Sequence, residues 1–451
     1  MGRLRQACSD FRESLGFLPT LLTLAAILVA ALTIAVDLAI EDAYGWDGVP
    51  LLFGAGAEGA RGVLGAIAGG IITVTGVIFS VTIVALQLAS TQFTPRVLRN
   101  FTADRGNQLT LGVLIATFTY TLLVMRTIRA DAGRGDFVPL ISVTVSLLLA
   151  LVSIGFLIYF IAHLARSLQA VVIIRRVAED TLKSVGRTFV SVDDAASRPV
   201  DAGRPDERAP VRARDAGYIQ AIDADTLLAC AAEMDAVVRM ELAHGRFVLP
   251  GGVLISVWPA ARLRGGYADR LRGAVTLGWQ RTIEQDPAWG VIELADIAVR
   301  ALSSSVADPT TASLCIDRLS EILVEIGRHE PRRRLVAERD GRGVALQPAT
   351  FDSIIDVAFD RIAIYGAPDA TVVRDIVDAL AAVARRVPAR QRPCLARQIE
   401  RLRERAERVA ASEADRELIR TTAAAALVHA RSGSPELAPL VSRRAARASS
   451  P

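Results

Sequence analysis

The chain has 451 residues, of which 51% are hydrophobic and 22% charged, with 52 basic side chains against 48 acidic ones. A net charge of +4 and an aromatic content of 5% exclude the basic stripe and stacking platforms of a nucleic-acid-binding protein. A mean hydropathy of +0.35 beside that much charge means that the apolar residues are concentrated in one part of the chain.

They lie in the first 165 residues or so, and most of the charge follows. Basic residues are nearly all arginine, with Lys183 the single lysine, a bias associated with GC-rich bacterial genomes. Cys8, Cys230, Cys315 and Cys394 are scattered, with neither metal-ligand spacing nor a disulfide pattern. No metal or cofactor is expected, and the cysteines suit a reducing compartment.

A membrane span needs about 20 apolar residues. Four segments qualify: Leu15 to Val36, Gly62 to Ala89, Gly106 to Met125 and Phe137 to Leu164. The first follows Arg3, Arg5 and Arg12, but it is too long for a signal-peptide core and three spans come after it, so it reads as a retained signal-anchor. Arg96, Arg99 and Arg105 lie in the second connection, and Arg166, Arg175, Arg176, Lys183 and Arg187 follow the fourth span. The basic excess on that side predicts a multi-pass protein of the bacterial inner membrane with both termini in the cytoplasm.

The second span carries no charge and a seam of small and polar residues. Steps of four and three give Gly62, Ala66, Gly69, Thr73, Gly76, Ser80, Ile83, Gln87, Ser90 and Thr94, broken only by Ile83. This spacing holds them on one face of a helix. Such a face either packs closely on another helix or lines an aqueous path. Phe93, Val97 and Phe101, with Arg96 and Arg99 beside them, then read as a short amphipathic helix on the cytosolic surface, either a membrane anchor or the mouth of a pore. Gly54, Gly56 and Gly59 match a dinucleotide-binding spacing, but they precede a membrane span, so the match is fortuitous.

No carboxylate lies within the spans apart from Asp37 at an edge, which argues against a buried proton relay. His163, near the end of the fourth span, is either a functional ionisable group or a solvated interfacial histidine. Helical spacing from Ile161 to Arg187 predicts that the fourth span continues as one helix towards the cytosol; a basic interfacial stop is the alternative.

Ser191 to Arg214, rich in Pro, Asp and Arg, reads as a linker. Short strands are expected at Gly217 to Ile222, Val237 to Leu242, Arg246 to Leu249, Val253 to Val257 and Ala274 to Thr282, with a helix over Asp225 to Met234. Asp286-Pro287 and Asp308-Pro309 are capped helix starts. Helices over Thr310 to Gly327, Thr350 to Tyr365, Asp369 to Arg386, Pro393 to Ser412 and Ser412 to Ala430 pair off as antiparallel neighbours. The expected fold is therefore a membrane α-helical domain of four transmembrane helices with a C-terminal cytosolic α+β and α-helical region. Its parts are 1–187 (spans and juxtamembrane helix), 188–214 (linker), 215–284 (α+β), 285–435 (helical) and 436–451 (a disordered tail).

The run Phe79-Ser-Val-Thr-Ile-Val-Ala-Leu-Gln-Leu-Ala-Ser-Thr-Gln-Phe-Thr-Pro-Arg96, the following Arg99-Asn-Phe101, the motif Arg281-Thr-Ile-Glu-Gln-Asp286, and Ala301-Leu302 leading to Asp308-Pro-Thr-Thr-Ala312 are distinctive. Together they resemble a bacterial family of predicted membrane proteins, domain of unknown function 2254, over roughly Leu4 to Ala430. The resemblance implies an integral membrane protein with a cytosolic C-terminal part and no established activity. It also implies Asn where this chain has Ala307, so any binding role of that Asn would be lost here.

Candidate site residues follow. Gly69, Thr73, Gly76, Ser80, Gln87 and Ser90 form a pore-lining or helix-packing seam. Phe93, Arg96, Arg99 and Phe101 form a pore mouth or anchor. Arg281, Glu284, Asp286, Asp308 and Thr310 form a cytosolic motif. No nucleotide, zinc-protease or serine-hydrolase motif is present, so an enzyme ranks third. The leading expectation is a homo-oligomeric channel or transport-like protein in the lipid bilayer, with a cytosolic regulatory domain and an unidentified ion or small ligand. The second is a non-conducting membrane scaffold or sensor.

Overall fold

The computed structural model describes residues 16–44, 56–92, 104–129, 137–167, 169–190, 207–303, 305–331, 334–336 and 343–432. The chain divides into two compact units between Ile173 and Ile174.

The first unit has four helices long and apolar enough to cross a membrane: α1 (Phe17–Tyr44), α2 (Ala57–Gln92), α3 (Arg105–Thr127) and α4 (Leu140–Ser167). α3 is the least apolar and the most buried, packing against the other three. Its Thr110, Thr117, Tyr120 and Thr121 are inside, while α1, α2 and α4 turn leucines and valines outward. This is the arrangement lipid imposes, with polar groups inside and hydrocarbon outside. Gly112 permits the closest approach, since a Cβ there would lie 2.6 Å from Leu22 and 3.1 Å from Pro19 of α1.

Hydrogen bonds between helices fix the bundle. Tyr120 OH lies 2.9 Å from Thr33 Oγ1 and donates to the Ser142 carbonyl at 3.3 Å. Thr117 and Ser153 hydroxyls meet at 2.9 Å, and Arg61 donates to the Ile128 carbonyl at 2.8 Å. Asp37, expected as an edge residue, is wholly buried. It accepts from Ile141 N (2.9 Å), Ser142 N (3.0 Å) and Ser142 Oγ (2.6 Å), so it caps α4 from a neighbouring helix. The cap satisfies a helix N-terminus that would otherwise leave amides unpaired in an apolar bundle.

α4 ends at Ser167 and α5 (Ala170–Thr188) follows, with Gln169 outside both; the expected continuity from Ile161 to Arg187 turns on Leu168, which lies outside the described residues. All of α5 beyond its first turn groups with the second unit.

In the second unit, β1 (Phe189–Val190) follows α5, and β2 (Ala209–Arg212) forms within the stretch read as linker. Next come β3 (Gly217–Ile222), α6 (Ala224–Met234), β4 (Val237–Met240), β5 (Phe247–Val248), β6 (Val253–Trp258), α7 (Tyr267–Gly273) and β7 (Val275–Gly278). Helices α8 (Pro287–Ala301) and α9 (Pro309–Arg328) precede β8 (Glu330–Pro331), β9 (Arg334–Val336) and β10 (Gly343–Ala345). The last four helices are α10 (Phe351–Gly366), α11 (Ala370–Ala384), α12 (Arg392–Val409) and α13 (Glu413–Ser432).

One sheet has the order β2-β6-β4-β10-β9, antiparallel except for β4 beside β10; the other is β5-β3-β7; β1 pairs with β8. Ile219, Leu227, Met240, Leu254, Ile255, Leu271 and Val344 share one core. Val344 reaches this core from beyond α9, so the α+β part is completed by a strand distant in sequence. The helices stack in two layers: α8, α10 and α12 touch in series, as do α9, α11 and α13. That is the pairing of a short α-solenoid.

α5 is fastened to α8 at one point. A Cβ on Gly290 would overlap Thr181 Oγ1, and Thr181 is itself buried and bonded to the Val177 carbonyl at 2.6 Å. Gly290→Ala is expected to force the helices apart and cost about 1–3 kcal/mol. Thermal unfolding of the full chain should show a lower midpoint, partly restored by adding Thr181→Ala. An unchanged midpoint would mean that the two helices are not in contact.

Candidate functional site

α2 presents two opposed faces. Leu64, Ala68, Ile71, Ile78, Thr82 and Ala85 are buried against the bundle. Gly69, Thr73, Gly76, Ser80 and Gln87 are exposed, each two positions from a buried residue and so about 200° round the helix. A Cβ built on Gly62, Gly65, Gly69, Gly70 or Gly76 meets nothing within 4 Å. Whatever the small residues are for, they do not serve packing within the described part of this chain. Ile72, Val77, Phe79 and Val84 are exposed beside the seam. Thr73 donates to the Gly69 carbonyl at 2.7 Å, its own helix supplying the partner. The side chains of Ser80 and Gln87 have no partner among the described residues. Ser90 lies in α2, and Phe93, Arg96, Arg99 and Phe101 fall outside the described residues.

His163 is not solitary. Its Nε2 lies 2.8 Å from Asp104 Oδ1, and Tyr159 stacks on its ring at 5.3 Å between centroids. The same carboxylate caps α3 through Gly106 N (2.8 Å) and Asn107 N (3.3 Å). Gly106 leaves the room: a Cβ there would lie 2.8 Å from His163 Nε2. The Asn107 side chain is buried with neither amide atom paired.

In the second unit Arg281 and Asp286 come together. The guanidinium Nε and Nη2 donate to Asp286 Oδ2 at 2.9 and 2.6 Å, and the Arg281 guanidinium lies 4.6 Å from the Trp289 ring. Asp286 stands at the N-cap of α8 but makes no side-chain capping bond, which corrects the capping role expected of it. Burial pushes its carboxyl above the usual range, against the pull of Arg281. Gly245, at φ +73°, clears the space, because a Cβ would overlap Asp286 Oδ2 and Arg281 Nε. Glu284 and Thr310 are exposed. Asp308 caps α9 as expected, accepting from Thr311 N at 3.1 Å and Thr311 Oγ1 at 2.6 Å.

A cavity of about 100 Å³ lies beside this pair, lined among others by Arg187, Ile222, Leu242, His244, Gln285 and Leu346. Gln285 Oε1 accepts from Ile222 N at 2.9 Å, and His244 Nε2 lies 3.0 Å from the same oxygen, so that nitrogen carries the proton. Sequence reasoning missed Arg187 and His244. Gln285 stands inside the Arg281 to Asp286 motif and was legible there. Among the described residues no three His, Cys, Asp or Glu side chains group to hold a metal.

The described chain thus has four helices long and apolar enough to cross a membrane, followed by a mixed sheet and solenoid unit. The family model described as "Predicted membrane protein (DUF2254)" matches residues 12–382, and the chain belongs to that family. It is 32% identical over 384 residues to the uncharacterized proteins Mb1321c of Mycobacterium bovis and Rv1290c of Mycobacterium tuberculosis, covering 83% of this chain and 74% of each relative. No solved structure matches it.

Ala307 lies at φ +48°, a left-handed conformation that Asn and Gly tolerate better than Ala. Ala307→Asn and Ala307→Gly are each expected to stabilise the fold by about 0.5–1 kcal/mol, read as a raised unfolding midpoint. Burial lowers the His244 pKa below its ordinary 6.5, opposed by Gln285 and Asp286. As pH falls through about 6.5 the unfolded chain takes up a proton that the folded one refuses, so stability falls on acidification until the native pKa is reached. The unfolding midpoint followed from pH 7 downward should show this slope, and His244→Gln should flatten it.

Proposed function

We propose that this protein is a homo-oligomer of the bacterial inner membrane, of the channel or transport type. In this reading the α2 seam borders the path at the junction between copies. The supporting observation is the outward, unpaired placement of Ser80 and Gln87 on a helix face that has no large side chain except Ile83. An amide or hydroxyl facing hydrocarbon without a partner costs free energy, and either a second copy or water relieves that cost. Four helices with one polar central member leave no room for an aqueous path within a single bundle, so symmetric assembly supplies it. Arginines following the second and fourth spans favour both termini and the second unit in the cytosol, where that unit acts as a regulatory domain.

A non-conducting scaffold or sensor is the second reading. Thr73 supports it, because a hydroxyl that bonds its own helix is suited to dry packing, and glycines let backbones approach.

Single cysteines at Thr73, Ser80 and Gln87 in a cysteine-free background separate the two, with bundle-facing Ile78 and flanking Val77 as controls. Labelling of the seam alone by a small charged thiol reagent in intact membranes, with flux through reconstituted protein, is the expected result. Cross-linking between copies without labelling supports the scaffold. If seam and control positions neither label nor cross-link differently, both readings fail.

A further inference from the structure

The cavity beside the Arg281–Asp286 pair presents binding groups that its own surroundings leave unused. The Arg187 guanidinium is exposed at the end of α5 and has no ion pair or hydrogen bond among the described residues. The Gln285 oxygen is taken twice, by Ile222 N and by His244, which fixes the amide so that its NH₂ carries the remaining capacity. Neither those two N–H groups nor the Gln347 amide has a partner among the described residues. Leu242 and Leu346 supply apolar wall, with Pro348 beside Gln347.

The donor set is thus an exposed arginine fork and side-chain amides, of which Gln285 is fixed, and among the described residues no carboxylate lines the cavity. Of the acids next to lining residues in sequence, Asp286 is paired with Arg281, Asp223 caps α6 through Thr226, and Glu284 is exposed. Burial lowers the His244 pKa and so disfavours its charged form, and its Nε2 is committed to the Gln285 oxygen. Arginine forks match planar two-oxygen anions, and an amide NH₂ complements the same group from the side. Apolar walls then require a body without charge, and about 100 Å³ limits that body to a few atoms.

We infer that this cavity binds a small monocarboxylate with a compact apolar body, its carboxylate on Arg187 and Gln285 and its body against Leu242 and Leu346. The binding does not depend on the oligomeric reading above; only its regulatory meaning does. That meaning rests on connectivity. Arg187 ends the helix that follows the fourth span, and Gln285 stands two residues before α8, to which the same helix is fastened at Thr181 and Gly290. A ligand held by both residues would change the free energy of that joint.

The test uses the full-length protein in detergent or nanodiscs, with butanoate, hexanoate and benzoate as probes, and butylamine and inorganic phosphate as controls. Direct calorimetric titration should show saturable binding of at least one carboxylate and none of butylamine or phosphate. Arg187→Gln should weaken that binding by about tenfold or more, the loss expected for one charge-assisted contact. Gln285→Glu keeps the oxygen that accepts from Ile222 and His244 but replaces the NH₂ by a second oxygen, so it should abolish binding while the unfolding midpoint shows the fold intact. Gln347→Ala gives a milder loss and serves if the Glu variant fails to fold. No binding of any of the three carboxylates, equal binding of phosphate, or affinity unchanged in Arg187→Gln overturns the assignment. Loss of binding with unchanged flux, or flux absent while binding persists, leaves the cavity assigned and removes only its link to transport.

Discussion

A polar group on a membrane helix must find a partner, and the first unit is organised by that requirement. Asp37 finds the α4 N-terminus, Tyr120 finds Thr33 and the Ser142 carbonyl, Thr117 finds Ser153, and Arg61 finds the Ile128 carbonyl. Each bond joins two segments, so the partners that satisfy the groups also set which helices are neighbours. α3 carries the most polar surface and is consequently central. Once those bonds are made, α2 is the helix whose polar groups remain turned away from the others. The seam stands out because Ser80 and Gln87 face outward without partners, whereas the other departure from the rule, Asn107 of α3, is buried inside the bundle.

The second unit obeys a different rule, burial of apolar area, and was correspondingly easier to read. Alternation over Gly217 to Ile222 and the Pro-started helices at Pro287 and Pro309 appear at the residues where pattern and capping place them. The four long apolar helices were legible for the same reason, since length and hydropathy are local. What sequence did not reveal depends on partners far along the chain. β10 joins β4 across more than a hundred residues, and its three residues carry no pattern long enough to stand out. β2 lay hidden in a Pro- and Arg-rich stretch because its partner β6, not its composition, makes it a strand. Asp286 has the sequence of a cap and the environment of an ion pair, and only the fold brings Arg281 close enough to divert it.

The candidate sites divide the same way. The α2 seam was visible because its spacing is helical and its residue types are unusual for a span. Its direction was not, since periodicity identifies a face without saying what that face meets. Arg187 and His244 were invisible: an arginine at a helix end reads as a dipole complement, and a lone histidine in a short turn reads as surface. They become a site only when Gln285, which belongs to the Arg281 motif, fixes His244 beside the cavity that Arg187 also lines.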